Sequence, residues 1–190
     1  MTLFWQIWAC CITLLLTTVT ANEVSVDGNT TLESPQVTSW GTWGQWEFCP
    51  SGSYVSGMQL KTEEYQGAFS DDSALNGIRL YCGPIGGITD YSKPITSSVG
   101  ASGEYSRQFM CNGPATGFQL RSEKDLGWYN DDTAASNLRL YCDGKAVEGD
   151  GVSWGDWTAV QNCPAKSAIC GIRTQVEGQS CKKPHDYVYF

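Results

Sequence analysis

Three glutamates are the residues whose type and spacing could most directly do chemistry. Glu63, Glu123 and Glu177 hold one equivalent position in three related stretches, which read GMQLKTE, GFQLRSE and GIRTQVE. Three equivalent carboxylates around a common axis would line a polar groove able to hold a sugar. The alternative is a solvated strand face, on which each glutamate pairs with a basic residue two to four positions earlier. We therefore treat the three as candidate glycan-contact residues.

Two pairs of aspartates suggest glycoside chemistry less strongly. Each pair, Asp71-Asp72 and Asp131-Asp132, consists of consecutive residues. The side chains of consecutive residues in an extended chain point in opposite directions. The two-carboxylate mechanism needs groups that face each other across a sugar, roughly 5 to 10 Å apart. Calcium binding would need a spaced run of oxygen ligands, which accompanies neither pair. The pairs are predicted to form turns, and no catalytic residue is assigned.

Aromatic residues give a second set of binding candidates. Trp and Tyr stack on sugar faces, but they also fill protein cores. Trp43, Tyr105 and Trp157 recur with the repeated units described below, which favours core packing. Trp128 and Tyr129 occur together in one predicted loop only, and loops often carry binding residues. These two are therefore the aromatic candidates for glycan contact.

A single histidine limits the remaining chemistry. A catalytic Ser-His-Asp or Cys-His site would have to be built on His185, near the C-terminus. One histidine and cysteines engaged in disulfides make a poor set of metal ligands. No phosphate-cradling glycine loop adjoins a helical pattern. Neither a metal nor a cofactor is predicted.

These residues belong to an internal repeat. Residues 57–82 and 117–142 are identical at twelve of 26 aligned positions. A third, weaker copy becomes visible from the segments WGTW, SGEY and WGDW, each of which begins nine residues before a cysteine, at Cys49, Cys111 and Cys163. The chain is therefore built of three related units.

The repeat has the period of β-strands. Met58, Leu60 and Thr62 fall on one side of the first unit, and Gln59 and Lys61 on the other. Such alternation is typical of half-buried strands, and the sequence after residue 21 shows no sustained helical period. Three strand-rich units with one apolar face each can bury those faces only against one another. The pattern predicts an all-β fold with three sheets around a pseudo-threefold axis, although a sandwich or barrel also fits.

Composition narrows the choice of partners. The chain has 190 residues, with 20 Asp and Glu against 12 Lys and Arg, for a net charge of −8. Phosphate backbones and anionic lipid surfaces do not attract such a chain, so nucleic acid is excluded as a partner. A partner selected by charge would be basic, and neutral glycans are also compatible.

The N-terminal region divides into two parts. Residues 1–21 carry no charge and include the apolar run IWACCITLLL, which predicts a signal peptide cut after Ala21, a secreted protein and no membrane insertion after cleavage. Residues 22–39 are polar, hold the N-glycosylation sequon at Asn29, and are predicted to be a flexible leader. The remaining residues are predicted to form one domain, 40–190, with repeats at about 40–99, 100–150 and 151–190.

Cysteine usage fits an oxidising compartment. Nine cysteines are present, and two of them lie within the predicted signal peptide. Cys49 with Cys82 and Cys111 with Cys142 would close equivalent loops in equivalent units, so these two disulfides are predicted.

The last three cysteines leave alternatives open. The expected pair is Cys163 with Cys170, and the alternative is a pair that includes Cys181. Seven cysteines remain after signal cleavage, so one thiol is left over in either case.

The repeats resemble the vitelline membrane outer layer protein 1 family. The resemblance rests on the WGxW segments, on EFCPSGSYVSGMQLKTEEYQGAFSDDSALNGIRLYC with its second copy, and on CGIRTQVE in the third unit. It implies a β-prism of three Greek-key sheets and a secreted coat protein whose partners are other extracellular coat proteins. It also implies, as an alternative, carbohydrate binding with at most weak chito-oligosaccharide transfer.

The third unit departs from the pattern of the other two. Glu63 precedes Cys82 by 19 residues, as Glu123 precedes Cys142, whereas only 13 residues follow Glu177. The closing strand of the third unit is therefore predicted to be short or altered.

Overall fold

A computed structural model describes residues 6–12, 29–35, 41–63, 73–123 and 135–176. These residues contain fifteen strands and no helix. In chain order the strands are β1 (Gln6–Ile12), β2 (Asn29–Glu33), β3 (Thr42–Trp43), β4 (Glu47–Phe48), β5 (Ser53–Thr62), β6 (Leu75–Pro84), β7 (Asp90–Ile95), β8 (Glu104–Tyr105), β9 (Phe109–Met110), β10 (Ala115–Ser122), β11 (Ala135–Cys142), β12 (Lys145–Glu148), β13 (Asp156–Trp157), β14 (Gln161–Asn162) and β15 (Ser167–Val176).

The strands form three antiparallel sheets with one common plan. The first sheet has the order β7-β6-β5-β8, the second β12-β11-β10-β13 and the third β2-β1-β15-β3. A further short strand also pairs with each long strand: β9 with β5, β14 with β10 and β4 with β15. The first two sheets are thus two copies of one arrangement, and the third sheet reproduces it.

The predicted alternation accounts for the long strands. Met58 and Leu60 of β5 are fully buried, whereas Gln59 between them is only partly buried. Met58 lies opposite Leu80 of β6 and Leu60 opposite Ile78, so cross-strand apolar pairs form on the inner face. The equivalent buried side chains of the other sheets include Phe118, Leu120, Leu138, Leu140, Ile169 and Ile172.

The three long strands β5, β10 and β15 contact one another pairwise in the interior. Their buried side chains belong to one core cluster, to which all three sheets contribute. The fold is therefore the predicted β-prism of three Greek-key sheets. The part of the chain that the structure describes contains no helix with the length and hydropathy of a membrane span.

The first two short strands of each unit pair with the sheet of another unit. β8 and β9 come from the second unit but pair with β5 of the first. β13 and β14 of the third unit pair with β10 of the second. β3 and β4 of the first unit pair with β15 of the third. The exchange runs around the prism and closes on itself. In every unit, the edge of the long strand that faces away from the closing strand is therefore covered by strands of another unit.

The structure differs from expectation at the N-terminal end. β2 lies within the predicted flexible leader, 22–39, but pairs antiparallel with β1 at the edge of the third sheet. β1, within the predicted signal peptide, pairs along β15 from Ser167 to Thr174. The third sheet thus begins well before residue 40. Signal cleavage, glycosylation at Asn29 and the division of the chain into domains remain predictions.

Two disulfides join the residues expected to pair. Cys49 is bonded to Cys82 with a Cα–Cα distance of 5.6 Å, and Cys111 to Cys142 with a distance of 5.8 Å. Each bond links the segment before a long strand to the closing strand beside it. The apolar face of the closing strand carries the cysteine, and Cys82 and Cys142 are accordingly buried.

The predicted pair of Cys163 with Cys170 is wrong. Cys163 is bonded to Cys10, at a Cα–Cα distance of 5.7 Å. The reason is topological: β1 occupies the place that β6 and β11 hold in the other sheets, and it brings Cys10 opposite Ile169 of β15. Cys170 is itself disulfide-bonded. Cys181, the alternative partner, lies outside the described residues.

The glycine of each WGxW-type segment has a backbone reason. Gly41, Gly103 and Gly155 adopt positive φ angles of 93°, 81° and 72°. A Cβ at Gly155 would lie 2.2 Å from the backbone oxygen of Ser122, at the end of β10. Only glycine fits both the conformation and the close approach. The turn at Gly155 places β13 of the third unit beside the edge of β10.

We predict that Gly155→Ala lowers the free energy of unfolding by about 3 to 4 kcal/mol, because a left-handed alanine adds strain and its Cβ forces two strands apart. Gly52→Ala is the matched control, since Gly52 has a φ of 77° and open space around its Cβ position. The control should lose about 1 to 2 kcal/mol. Urea unfolding of the oxidised proteins measures both values, and equal losses would contradict the close-approach argument.

Candidate functional site

The outer face of the first sheet carries an organised polar cluster. The Tyr81 hydroxyl donates a hydrogen bond to Oε1 of Gln59 at 2.8 Å, and Gln59 Nε2 donates to the backbone oxygen of Ser106 at 2.6 Å. The Arg79 guanidinium carbon lies 3.5 Å from the centroid of the Tyr105 ring. Side chains of β5 and β6 thereby hold the segment that contains β8.

The second sheet repeats this cluster. Tyr141 donates to Gln119 Oε1 at 2.8 Å, and Gln119 Nε2 donates to the backbone oxygen of Thr158 at 2.7 Å. The Arg139 guanidinium lies 3.8 Å from the centroid of a Trp157 ring. Its outer side forms an ion pair with Glu148 of β12 at 2.6 Å. We call these sets the arginine–aromatic clusters.

The third sheet has a reduced version. The Arg173 guanidinium carbon lies 4.8 Å from the centroid of the Trp43 ring. Here the arginine comes from the long strand β15 itself, and it joins that strand to a short strand of another unit. Gln175 Nε2 adds a hydrogen bond to the backbone oxygen of Gly41 at 2.9 Å. Arg173 Nε is buried and has no hydrogen-bond partner among the described residues. The tyrosine–glutamine hydrogen bond of the other two clusters has no counterpart among the described residues here.

The clusters explain why three aromatic residues recur. The sequence favoured core packing for Trp43, Tyr105 and Trp157, but all three are half-buried on the outer faces. Each has a guanidinium group over one ring face, and a sugar would need an open face for stacking. The clusters therefore fasten the short strands. The recurrence of Arg79 and Arg139 in the repeat was the sequence signal that could have revealed these contacts.

Two of the candidate glutamates, Glu63 and Glu123, lie just after the ends of long strands. The Glu63 carboxylate accepts hydrogen bonds from the backbone N–H of Ser73, at 3.2 Å, and from the Ser73 hydroxyl. The Glu63 N–H in turn donates to the backbone oxygen of Ala74 at 2.8 Å. Glu63 thus ties the end of β5 to the start of β6. Glu123 holds the equivalent place after β10 and also makes an interaction within the protein.

The structure describes only part of the predicted glycan-contact set. Glu63 and Glu123 are described, whereas Glu177, Trp128 and Tyr129 lie outside the described residues. The aspartate pairs 71–72 and 131–132 and His185 lie outside them as well. Among the described residues no three His, Cys, Asp or Glu side chains are grouped so as to hold a metal ion.

An uncharged groove with exposed apolar side chains opens on the surface. It has a volume of about 620 Å³ and lies beside the turn that follows β6. Phe48 and Ile85 line it and are 47% and 52% exposed, and Trp46 stacks on Phe48 with a centroid distance of 5.5 Å. The full lining is Phe48, Cys49, Pro50, Ser51, Gly52, Ser53, Tyr54, Pro84, Ile85 and Cys170. No charged side chain lines the groove, so it suits an apolar segment better than an acid–base reaction.

Two groups on the first sheet have shifted pKa values. Burial raises the pKa of Tyr105 above its ordinary value, and the positive charge of Arg79 opposes part of that shift. Hydrogen bonds from the Ser92 hydroxyl and backbone N–H lower the pKa of Asp90, an exposed residue at the start of β7. Neither residue lines the groove. The shifts therefore report local structure.

The fold and these surfaces define a disulfide-linked β-prism whose outer faces fasten its own strands. The family model described as Vitelline membrane outer layer protein I (VOMI) matches residues 30–187. The chain belongs to this family.

Two relatives agree with this assignment. The vitelline membrane outer layer protein 1 homolog of Homo sapiens is 41% identical over 152 residues, covering 75% of this chain and 72% of the relative. The homolog of Mus musculus is 38% identical over 148 residues, covering 74% and 72%.

We predict that the Tyr105 phenol titrates at higher pH than an ordinary tyrosine, because its burial outweighs the opposing positive charge of Arg79. The folded pKa of Tyr105 is raised, so the neutral phenol stabilises the fold fully below the unfolded value near 10. That contribution is lost as the pH rises through the folded pKa. Absorbance of tyrosinate at 295 nm measures the titration. In Tyr105→Phe the late step should disappear, and its persistence would show that another tyrosine is responsible.

Proposed function

We propose that this chain is a secreted structural protein of an extracellular layer, which acts by noncovalent assembly with other coat proteins. The observation that carries the proposal is the uncharged groove at which Phe48 and Ile85 expose apolar side chains. Exposed apolar surface of this kind is typical of interaction sites.

The family relationship supports the same function. The matching family model and both relatives carry names that refer to the outer layer of the vitelline membrane. The disulfides Cys49–Cys82 and Cys111–Cys142 fit a protein that matures in an oxidising compartment. The net charge of −8 favours basic coat proteins as partners.

Carbohydrate binding, with weak chito-oligosaccharide transfer, is the alternative. It would require open aromatic faces or carboxylates available to a sugar. The described recurring aromatics each have an arginine over one ring face, and the Glu63 carboxylate already accepts hydrogen bonds from Ser73. These contacts favour the structural role.

The test is a sedimentation assay with isolated, washed egg-coat layers as the binding matrix. Phe48→Ser and Ile85→Ser should each weaken co-sedimentation about tenfold, because each removes an apolar side chain worth about 1.5 to 3 kcal/mol when buried. Val160→Ser is the matched control, since Val160 is 37% exposed and does not line the groove. It should bind like the parent protein.

Sugar competition separates the two functions. Binding should survive excess chito-oligosaccharide and enzymatic deglycosylation of the layer. Loss of binding under either treatment, with no effect of the two groove substitutions, would contradict the structural proposal and favour carbohydrate recognition.

A further inference from the structure

The third sheet is completed by a segment that the secreted form is predicted to lose. β1 holds the place beside β15 that β6 holds beside β5 and that β11 holds beside β10. β6 and β11 belong to the repeats, whereas β1 lies within the predicted signal peptide, 1–21. It also lies outside the family match, which begins at residue 30. Cleavage after Ala21 would therefore remove β1 and leave this edge of β15 without a neighbouring strand.

The pairing of β1 shows what the place accepts. β1 runs antiparallel to β15, with Gln6 opposite Thr174 and Ile12 opposite Ser167, so it covers eight residues of the long strand. Its sequence, QIWACCI, carries no charge. The place therefore accepts an uncharged, mostly apolar strand.

The cysteine of that strand is held in the core. Cys10 is 1% exposed and bonded to Cys163, in the same relation as Cys82 to Cys49 and Cys142 to Cys111. A strand that replaces β1 would therefore need a cysteine opposite Ile169 to bond with Cys163.

Cleavage would leave two unsatisfied features. The backbone groups of β15 that pair with β1 would form an open sheet edge, which is a template for another strand. Cys163 would lose its partner, and the seven cysteines that remain from nine are an odd number, so at least one cannot pair within the chain. The open edge and Cys163, without its partner Cys10, would lie side by side.

We propose that, in the secreted chain, the place of β1 is a strand-acceptor slot that takes an uncharged, cysteine-bearing extended segment of a partner protein. The segment pairs antiparallel with β15, as in other cases of strand addition. The proposal rests on the secretion proposed above. It adds a covalent link to the noncovalent assembly.

The covalent step is thiol–disulfide exchange. The partner segment presents its cysteine as a disulfide with a second thiol. The Cys163 thiolate attacks that cysteine's sulfur, a new bond to Cys163 forms, and the original disulfide breaks. The second thiol leaves with the bonding electron pair and takes up a proton. No separate oxidant is consumed.

The first experiment maps the N-terminus and disulfides of the chain that cells secrete from the full sequence. We expect an N-terminus at Asn22 and Cys163 either as a thiol or in an intermolecular disulfide. A Cys163 bonded to Cys170, to Cys181 or to a retained Cys10 would overturn the slot. Absence of any secreted chain would overturn the secretion proposal and the slot together, so the two failures are distinguishable.

The second experiment offers the secreted chain a peptide of residues 4–14 that carries Cys11→Ser and holds Cys10 as a mixed disulfide with a small thiol. We expect one peptide on Cys163, formed about tenfold or more faster than with a scrambled peptide that has the same cysteine. Amides of Ser167–Thr174 should then exchange about tenfold or more slowly. Equal rates for both peptides with no added protection would overturn the proposal.

Two variants separate strand binding from simple thiol reactivity. Cys163→Ser should form no adduct, yet the peptide with Cys10→Ser should still slow exchange along β15 in either protein. Adduct formation at another cysteine of Cys163→Ser would show that reactivity, and not the slot, governs the attachment.

Discussion

The structure depends on the edge pairing between each long strand and the short strands of another unit. β8 and β9 cover β5, β13 and β14 cover β10, and β3 and β4 cover β15. Without these pairs each long strand would present an unpaired backbone edge, which is costly and prone to aggregation. Because the exchange closes on itself, no unit has a complete sheet when the other two are absent.

Other features reinforce this ring. The arginine–aromatic clusters lie on the outer faces and join the closing strands β6 and β11 to short strands of the following unit, through Arg79 with Tyr105 and Arg139 with Trp157. The inner faces meet in one core cluster, and the disulfides fix the closing strands to the segments that enter the long strands. Most repeated positions thus serve the closure of the prism. The groove at Phe48 and Ile85 is left as the described surface best suited to a partner.

Sequence periodicity predicted the all-β fold because its signals are local, whereas a sandwich or barrel also fitted the pattern and the β-prism was implied by the family resemblance. Alternation at Met58 and Leu60 and equal cysteine spacing in two units are sufficient for the strands and for two disulfides. The partner of Cys163 was not predictable in this way, since it depends on a strand from Gln6–Ile12 that has no counterpart in the repeat. The sequence also favoured a core position for Trp157, which lies half-buried on the outer face. Recurrence of an aromatic residue does not by itself distinguish a ring packed in the core from a ring packed under an arginine. For the candidate site, Glu63 was expected on a strand face or in a groove, whereas it lies just after β5 and accepts hydrogen bonds from Ser73, a contact that depends on tertiary pairing.

Ring closure makes the three sheets one cooperative unit, and amide exchange followed against urea concentration tests this most directly. The chain with residues 1–21 retained and the Cys10–Cys163 bond formed is the correct sample, because its third sheet is complete. The slowest amides of β5, β10 and β15 should converge on one free energy of opening with one urea dependence. If β15 opened in a separate transition while β5 and β10 stayed protected, the units would fold independently and closure of the ring would be contradicted.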